Sequence, residues 1–558
     1  VVSQTIAWPL TIDEVLAAFP AGYQPRPQQK YAIEQINKAF SEEKRFVVLE
    51  SPTGAGKSFI CMTFARAIQA MGGQTHFLTI QKTLQDQYTR DFPAPEIEVL
   101  KGRANYACTH PDADGANAAE GVCRRVKKGI LKECITGGSV REAVHLSLPA
   151  SCHSCPYWHQ LQKCHDAAIT LFNFSSFLYQ VRIGRFGKRA LMIIDEGHNI
   201  EAQLMAFVAL ELTEWALSLI GVEITRDIST KEQFMQWLRE TDVIQRIQTR
   251  LKEGGDDEDT IDLERSEQEA LEELLIKIEN FVRYLNMTDW IIETVKYNDR
   301  RGNPTKKIVA RPLYVHNFSR DLLFRYAERV LIMSATILDV DVWATNLGIP
   351  RSEIAHVETP CDFPVENRLI YKDYAGNMGR KHFDKTRPRF VMKVREILDR
   401  HRGQRGIIHC HSFQLAEVLL SSISTKRFLF QAAFKDKTAM LAEHARREDS
   451  VIVAPAMHEG FDLKDDLSRF QVIAKVPWPS LGDRVVKERQ MRDDRWYAWL
   501  TALKLVQSYG RSVRSARDWA VTYILDTGFE AFLHSYSAML PRWFLEALRS
   551  GIPQEVHR

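Results

Sequence analysis

The sequence predicts an α/β protein built on two parallel-sheet units, the first of them interrupted by two insertions. Three observations carry that reading. Short apolar runs of strand length alternate with helix-length stretches in both halves of the 558-residue chain, which is the rhythm of βαβ units. A glycine-rich loop, Glu50-Ser51-Pro52-Thr53-Gly54-Ala55-Gly56-Lys57-Ser58, follows one such run and opens a helix, as a phosphate-binding loop must. Six of the nine cysteines lie between Cys108 and Cys164, inside the first α/β unit, and they mark a segment of different chemistry.

Residues 1–105 form the first part of the first unit. Phe46-Val47-Val48-Leu49 is a buried-strand run ending at the loop, Phe59 to Ala70 reads as a helix, and Thr75 to Thr79 is the next strand. The cysteine segment occupies 106–165. The strand–helix rhythm resumes over 166–200 with Ile169-Thr170-Leu171-Phe172 and Ala190-Leu191-Met192-Ile193-Ile194. Over 201–300 the spacing of Leu271, Leu274, Leu275, Ile278, Val282 and Leu285 is helical, so a mainly helical insertion is expected there. Residues 301–345, with the strand Val330-Leu331-Ile332-Met333, close the first unit. The second unit takes 346–558, with strands at Gly406-Ile407-Ile408-His409 and Val451-Ile452-Val453. There is no internal repeat and no low-complexity tract.

Composition excludes little but is informative. A chain with 45% hydrophobic and 26% charged residues is ordinary for a globular protein of three or four domains. The net charge of +3 means that any nucleic-acid groove must be a local basic surface offset by acidic patches such as Asp256-Asp257-Glu258-Asp259. No apolar run is long enough to span a bilayer, and no signal peptide is read. Clustered cysteines beside a nucleotide loop indicate a reducing, cytoplasmic setting in which they ligate a metal or cluster rather than form disulfides. Cys61, Cys361 and Cys410 sit in apolar surroundings and are expected in the core.

The loop carries specific chemistry. Gly54 and Gly56 allow the backbone of Thr53, Gly54, Ala55 and Gly56 to approach phosphate oxygens, and the helix N-terminus favours the anion. Lys57 would reach the β- and γ-phosphates and the Ser58 hydroxyl would ligate Mg²⁺. Ser51 stands where the usual pattern has its first glycine. About 140 residues on, Ile193-Ile194-Asp195-Glu196-Gly197-His198 places two carboxylates at the end of an apolar strand, where ligands bind in parallel sheets. Asp195 would hold Mg²⁺ and Glu196 would orient the attacking water.

With these and eight further short motifs in order, the chain resembles the XPD/DinG family of superfamily 2 iron–sulfur DNA helicases. Arg26-Pro27-Gln28-Gln29 resembles the family's adenine-reading element, and Gln81 to Gln87 its next motif. Lys101 to Cys108 is similar to the lead-in to the first cluster ligand, and Cys155-Pro156-Tyr157 to the last. Asp195 to His198 resembles the Asp-Glu-x-His box, and Ser334-Ala335-Thr336 the motif that couples the ATP and DNA sites. In the second half, Glu459-Gly460-Phe461-Asp462-Leu463, Lys475 to Asp483 and Gln507-x-x-Gly510-Arg511-x-x-Arg514 follow.

The resemblance implies two RecA-like P-loop motor domains, with an iron–sulfur insertion (106–165) and a helical arch insertion (201–300) in the first. It implies ATP and Mg²⁺ as cofactors, with Arg26, Gln29, Gly460 and Asp462 joining the loop in nucleotide binding. His198, Gln507, Arg511 and Arg514 join Lys57, Asp195 and Glu196 in catalysis, the two arginines as fingers on the γ-phosphate. They are read as one helical turn apart and so on one helix face. The activity implied is 5′-to-3′ translocation on single-stranded DNA with unwinding of duplex, fork, D-loop or R-loop structures, by a monomeric motor of a bacterial or phage-infected cell.

Four thiolates hold a [4Fe–4S] cluster. The resemblance selects Cys108 and Cys155. Cys152, separated from Cys155 by two residues, is a third, and Cys123 is the fourth, with Cys134 as the alternative. A four-thiolate zinc site is the competing assignment. Cys164 is read as structural. Phe172, Asn173, Phe174 and Trp158 are candidates for stacking on bases, with core packing as the other reading. The run Arg124, Arg125, Lys127 and Lys128 could touch phosphates or be simply solvated. An ATPase that tracks a strand without unwinding and an inactive DNA-binding scaffold are the rival functions. The intact Lys57, Asp195, Glu196, Arg511 and Arg514 argue against the scaffold.

Overall fold

The computed structural model describes Trp8 and residues 10–52, 54–109, 115, 117–119, 155–253, 265–299, 302–455 and 463–552. The chain divides into two compact units: Val1–Leu49 with Lys57–Ser334 and Trp343–Val357, and Glu50–Gly56 with Ala335–Val342 and Glu358–Arg558.

In the first unit, strands β1 (Phe46–Glu50), β2 (Thr75–Thr79), β3 (Glu98–Leu100), β4 (Ile169–Asn173) and β5 (Arg189–Asp195) join two later strands in a seven-stranded sheet. The β2–β4, β2–β5 and β3–β4 pairs are parallel. Strands β2 and β5 are buried along their whole length, as expected where helices cover both faces of a parallel sheet. The helices Pro27–Ser41 and Lys57–Ala70 supply Ile33, Ile36, Phe40, Ile60, Phe64 and Ile68 to one core with Val47 and Leu49.

The segment between β5 and the next sheet strand is not all helix. It holds the helices Lys231–Thr241, Val243–Glu253 and Arg265–Tyr284. It also holds an antiparallel sheet of β6 (Leu210–Thr213), β7 (Trp290–Asn298) and β8 (Pro304–Pro312), in the order β6-β8-β7. The β7–β8 hairpin runs in register from Trp290↔Pro312 to Asn298↔Pro304, across residue 300. Its lysines and half-buried faces hid the strand alternation, whereas Ile291, Ile292, Thr294, Val295, Ile308 and Val309 supply the β-branched content that a strand wants. In the long helix the buried stripe runs Leu271, Leu274, Ile278, Phe281 and Tyr284, while Val282, counted in the apolar stripe from spacing, is 45% exposed.

β9 (Ala327–Ser334) and β10 (Ile354–Glu358) complete the first sheet in the order β10-β1-β9-β5-β2-β4-β3. The second unit is a sheet of β11 (Ile370–Gly376), β12 (Gly406–His409), β13 (Phe428–Phe430), β14 (Val451–Ala454), β15 (Phe470–Ile473), β16 (Val521–Asp526) and β17 (Leu548–Ser550). Its order is β13-β14-β12-β15-β16-β11-β17 and its pairs are parallel. Two parallel sheets of this kind are the α/β architecture expected. No helix among the described residues is long and apolar enough to cross a membrane.

Candidate nucleotide and nucleic-acid site

β1 delivers the chain to the phosphate-binding loop. Ser51 is fully buried and its hydroxyl accepts a 2.6 Å hydrogen bond from Thr359. The residue that departs from the usual glycine therefore has a packing role that glycine could not fill. Gly54 and Gly56 have φ of +85° and +82°, a region that costs other residues energy. At Gly54 a Cβ would also lie 2.5 Å from the Arg514 carbonyl oxygen within the second unit. The helix Lys57–Ala70 starts directly after the loop, so strand, left-handed glycines and helix N-terminus form the backbone cradle that suits a polyphosphate. Thr53 lies outside the described residues.

In the first unit, Lys57 and Ser58 meet the carboxylate box. Tyr88 donates a hydrogen bond of 3.1 Å to Asp195 Oδ2 and is hydrogen-bonded to Ser58 as well. The two side chains expected to hold Mg²⁺ thus share one phenol. Tyr88, on the helix Lys82–Asp91, is a site residue that sequence reasoning missed; it directly follows the quoted motif Gln81 to Gln87. Asp195 is buried, and burial followed by the charge of Glu196 pushes its carboxyl well up, while Lys57, the Glu196 N–H and Tyr88 pull it down. The Ser58 hydroxyl and the buried Asp195 carboxylate are oxygen donors that fit Mg²⁺, and the Lys57 ammonium acting on that carboxylate is the cation that suits phosphate.

Glu196 has φ 55° and ψ 49°, a left-handed conformation that costs a non-glycine residue of order 1 kcal/mol or more and clusters at functional sites. The next residue is packed tightly: a Cβ on Gly197 would fall 2.1 Å from Ile332 Cγ2 of β9, so that side chain would have to move to admit one. His198 is buried, with Nδ1 2.8 Å from Ser334 Oγ, Nε2 2.8 Å from Asn199 Nδ2 and Glu196 Oε2 3.5 Å from Nδ1. Because the Asn199 amide donates to Nε2, the proton sits on Nδ1 and is given to Ser334. His198 thereby ties the carboxylate box to the first residue of Ser334-Ala335-Thr336. In the second unit Gln507 Nε2 is 3.5 Å from Thr336 Oγ1.

Replacing Asp195 with Asn tests the electrostatics. Its carboxyl titrates above the ordinary aspartate value near 4, so ionisation costs the folded state stability. That cost begins above the unfolded value and is complete once pH passes the raised folded one. Nucleotide-free Asp195→Asn should therefore melt at or above the wild-type temperature at pH 8, with the difference vanishing near pH 4. Mg²⁺-dependent ATP turnover should be lost. A variant that melts well below wild type at pH 8 would contradict this account.

Arg26 caps the helix Pro27–Ser41, and its N–H donates 2.9 Å to the buried Gln29 Oε1, which orients that glutamine. Arg511 and Arg514 do not share a helix face. The helix Asp494–Tyr509 ends with Gly510 as its cap, so both arginines lie on the turn beyond it. Arg511 Nε donates to Gln507 O at 3.1 Å. The buried Asp518 holds the turn by accepting from Arg514 N at 3.1 Å and Arg469 Nη1 at 2.9 Å. Gly460 and Asp462 lie outside the described residues.

Of the cysteine ligand set, Cys123, Cys134 and Cys152 lie outside the described residues, as do Arg124, Arg125, Lys127 and Lys128. Cys108 is half-buried. Cys155 is buried and caps the helix Pro156–Asp166, an N-terminal position whose dipole suits an anionic sulfur. Cys164 is fully buried on that helix, and burial pushes its thiol up to about 12, which keeps it a neutral core group. Arg189 staples the end of this helix to the sheet through Cys164 O at 3.0 Å and His165 O at 3.2 Å. Cys61 and Cys410 are fully buried and Cys361 is half-buried. Phe172, Phe174 and Trp158 are buried too; they are core aromatics, not platforms for bases.

Residues 22–218 match the family model of the type III restriction enzyme res subunit, and residues 395–547 match that of the helicase C-terminal domain. No curated protein matches. Among solved structures, S. tokodaii Xpd4 is 12% identical with a TM-score of 0.58, over 94% of this chain and all of the other. An XPD helicase is 15% identical with a TM-score of 0.58, over 95% and 100% of the two chains. An apo XPD structure is 14% identical with a TM-score of 0.55, over 94% and 100%.

Proposed function

We propose that this chain, which has the fold of the XPD helicases and matches family models of a type III restriction enzyme res subunit and a helicase C-terminal domain, is an ATP-driven motor that moves 5′ to 3′ on single-stranded DNA and unwinds forked, D-loop or R-loop structures. The observation that carries the reading is the sharing of Tyr88 by Ser58 and Asp195, with Lys57 and Glu196 both acting on the Asp195 carboxyl. Lys57 neutralises β- and γ-phosphate charge. Ser58 and Asp195 would hold Mg²⁺, which when bound would supply Lewis-acid stabilisation of phosphate charge. Glu196, fixed in its left-handed conformation, aims a carboxylate at the attacking water. His198 passes the position of that carboxylate to Ser334. Arg511 and Arg514 supply cations from the second unit, so that turnover depends on domain closure.

Cys108, Cys123, Cys152 and Cys155 would hold a [4Fe–4S] cluster, which supplies a rigid cross-link for residues 106–165. Protein purified without oxygen is expected to be yellow-brown with about four irons per chain. Cys108→Ser and Cys155→Ser should each bleach it and lose unwinding before ATPase, whereas Cys164→Ser should keep its colour. A colourless protein holding one zinc would replace the cluster with a zinc site. The helicase reading itself is tested on forked duplexes with either overhang: ATP-dependent strand separation from a 5′ tail is expected. DNA-stimulated ATPase without strand separation would instead identify a tracking ATPase.

A further inference from the structure

The helix Phe383–Arg400 follows β11 in the second unit. It therefore starts at the carboxyl end of a parallel strand, the edge at which such sheets bind ligands. Its first turns are strongly basic. Arg380, Lys381, Lys385, Arg387 and Arg389 are all exposed, and Asp384 is the one acidic residue among them. Five cations against one carboxylate give this ten-residue segment a net +4, where the entire chain carries +3.

None of the five cations makes a side-chain hydrogen bond or ion pair with the described residues. Elsewhere in the same unit arginines are consumed by the fold: Arg405 donates to three backbone carbonyls, Arg427 to four, and Arg469 to two aspartates and a carbonyl. Cations at a helix N-terminus also oppose the helix dipole and repel one another. Neither folding nor helix stability accounts for them, and a local rule broken without structural gain marks a functional surface.

The backbone beneath is tied to the sheet. Met378 N donates to Asp526 Oδ1 at 3.1 Å, and the same carboxylate accepts from Val476 N and Gly528 N. Thr386 Oγ1 donates to Asn377 O at 2.9 Å, while Phe383 and Phe390 are buried in the core. Lys385 and Arg389 fall four residues apart on one helix face, a rise of about 6 Å, and Lys381 lies on the turn just before the helix cap His382. With both phenylalanines buried, the segment offers charge without an aromatic platform.

We propose that Arg380–Arg389 is a docking surface for a nucleic-acid phosphate backbone, gripped without reference to base sequence. The proposal rests on the helicase reading, and its test separates the two. Binding of the full-length protein to a single strand and to a fork is measured from 50 to 300 mM salt. The triple variant Lys381→Ala/Lys385→Ala/Arg389→Ala removes three phosphate partners, so the slope of log K against log salt should fall in magnitude by about 2. Its DNA-independent ATPase should not change. Its melting temperature should equal or exceed that of wild type, since like charges are relieved; a structural role would lower it. Lys381→Arg/Lys385→Arg should bind as wild type does. A triple variant with the wild-type slope on both substrates would overturn the proposal. So would loss of binding to phosphatidylserine vesicles with the DNA slope intact, which would assign the surface to lipid. A wild-type protein that binds no DNA at any salt would instead remove the helicase reading.

Discussion

Lys57→Ala is expected to reduce DNA-stimulated ATP hydrolysis by about 10²–10³-fold or more, the scale for removing a charge aimed at a transition-state oxyanion. Single-strand DNA binding should persist, because it depends on phosphate and stacking contacts outside the loop. The residual activity carries a second signature. Lys57 is one of the groups that hold the Asp195 carboxyl down against burial and Glu196. Without the ammonium that carboxyl rises further, and a protonated Asp195 cannot ligate Mg²⁺. The pH profile of the residual turnover should therefore shift to higher pH than that of wild type. Lys57→Arg restores the charge but not the reach, so its profile should stay near wild type while its rate remains low. Normal turnover in Lys57→Ala would remove the loop from the mechanism.

The parts legible in the sequence were those whose chemistry is contiguous. A phosphate loop needs a strand, two glycines, a lysine and a helix start in unbroken order, so Phe46 to Ala70 could be read directly. The strands Thr75–Thr79 and Gly406–His409 fall where their apolar runs ended. What was hidden depends on neighbours distant in sequence. Tyr88 becomes a site residue only because β2 and β5 are adjacent, which brings its helix to Asp195. Phe172 and Phe174 were candidates because an aromatic face accepts any base, yet both rings are fully buried, and Asn173 between them is the cap of the following helix. Spacing alone put Arg511 and Arg514 on a helix, whereas Gly510 ends it.

That turn sharpens what the arginines should do. Arg511 is drawn back onto the end of its helix by the Gln507 carbonyl. Arg514 sits where its own carbonyl leaves no space for a Cβ on Gly54 of the phosphate loop, and Asp518 fixes its backbone from below. With the Arg511 guanidinium committed to its own helix end, we propose Arg514 as the finger. Arg514→Ala should bind nucleotide almost normally and melt near the wild-type temperature, yet turn over at least about 10³-fold more slowly, the effect of removing an arginine finger. Arg514→Lys should rescue poorly, because an ammonium lacks the planar fork that engages two phosphate oxygens. Arg511→Ala should cost less turnover and more stability, since its guanidinium closes the helix end. The opposite pattern, a stable and fully active Arg514→Ala beside an inactive Arg511→Ala, would transfer the finger role to Arg511. If both variants keep wild-type ATPase, the γ-phosphate is sensed by neither arginine, and the coupling of hydrolysis to the second unit must run through another side chain.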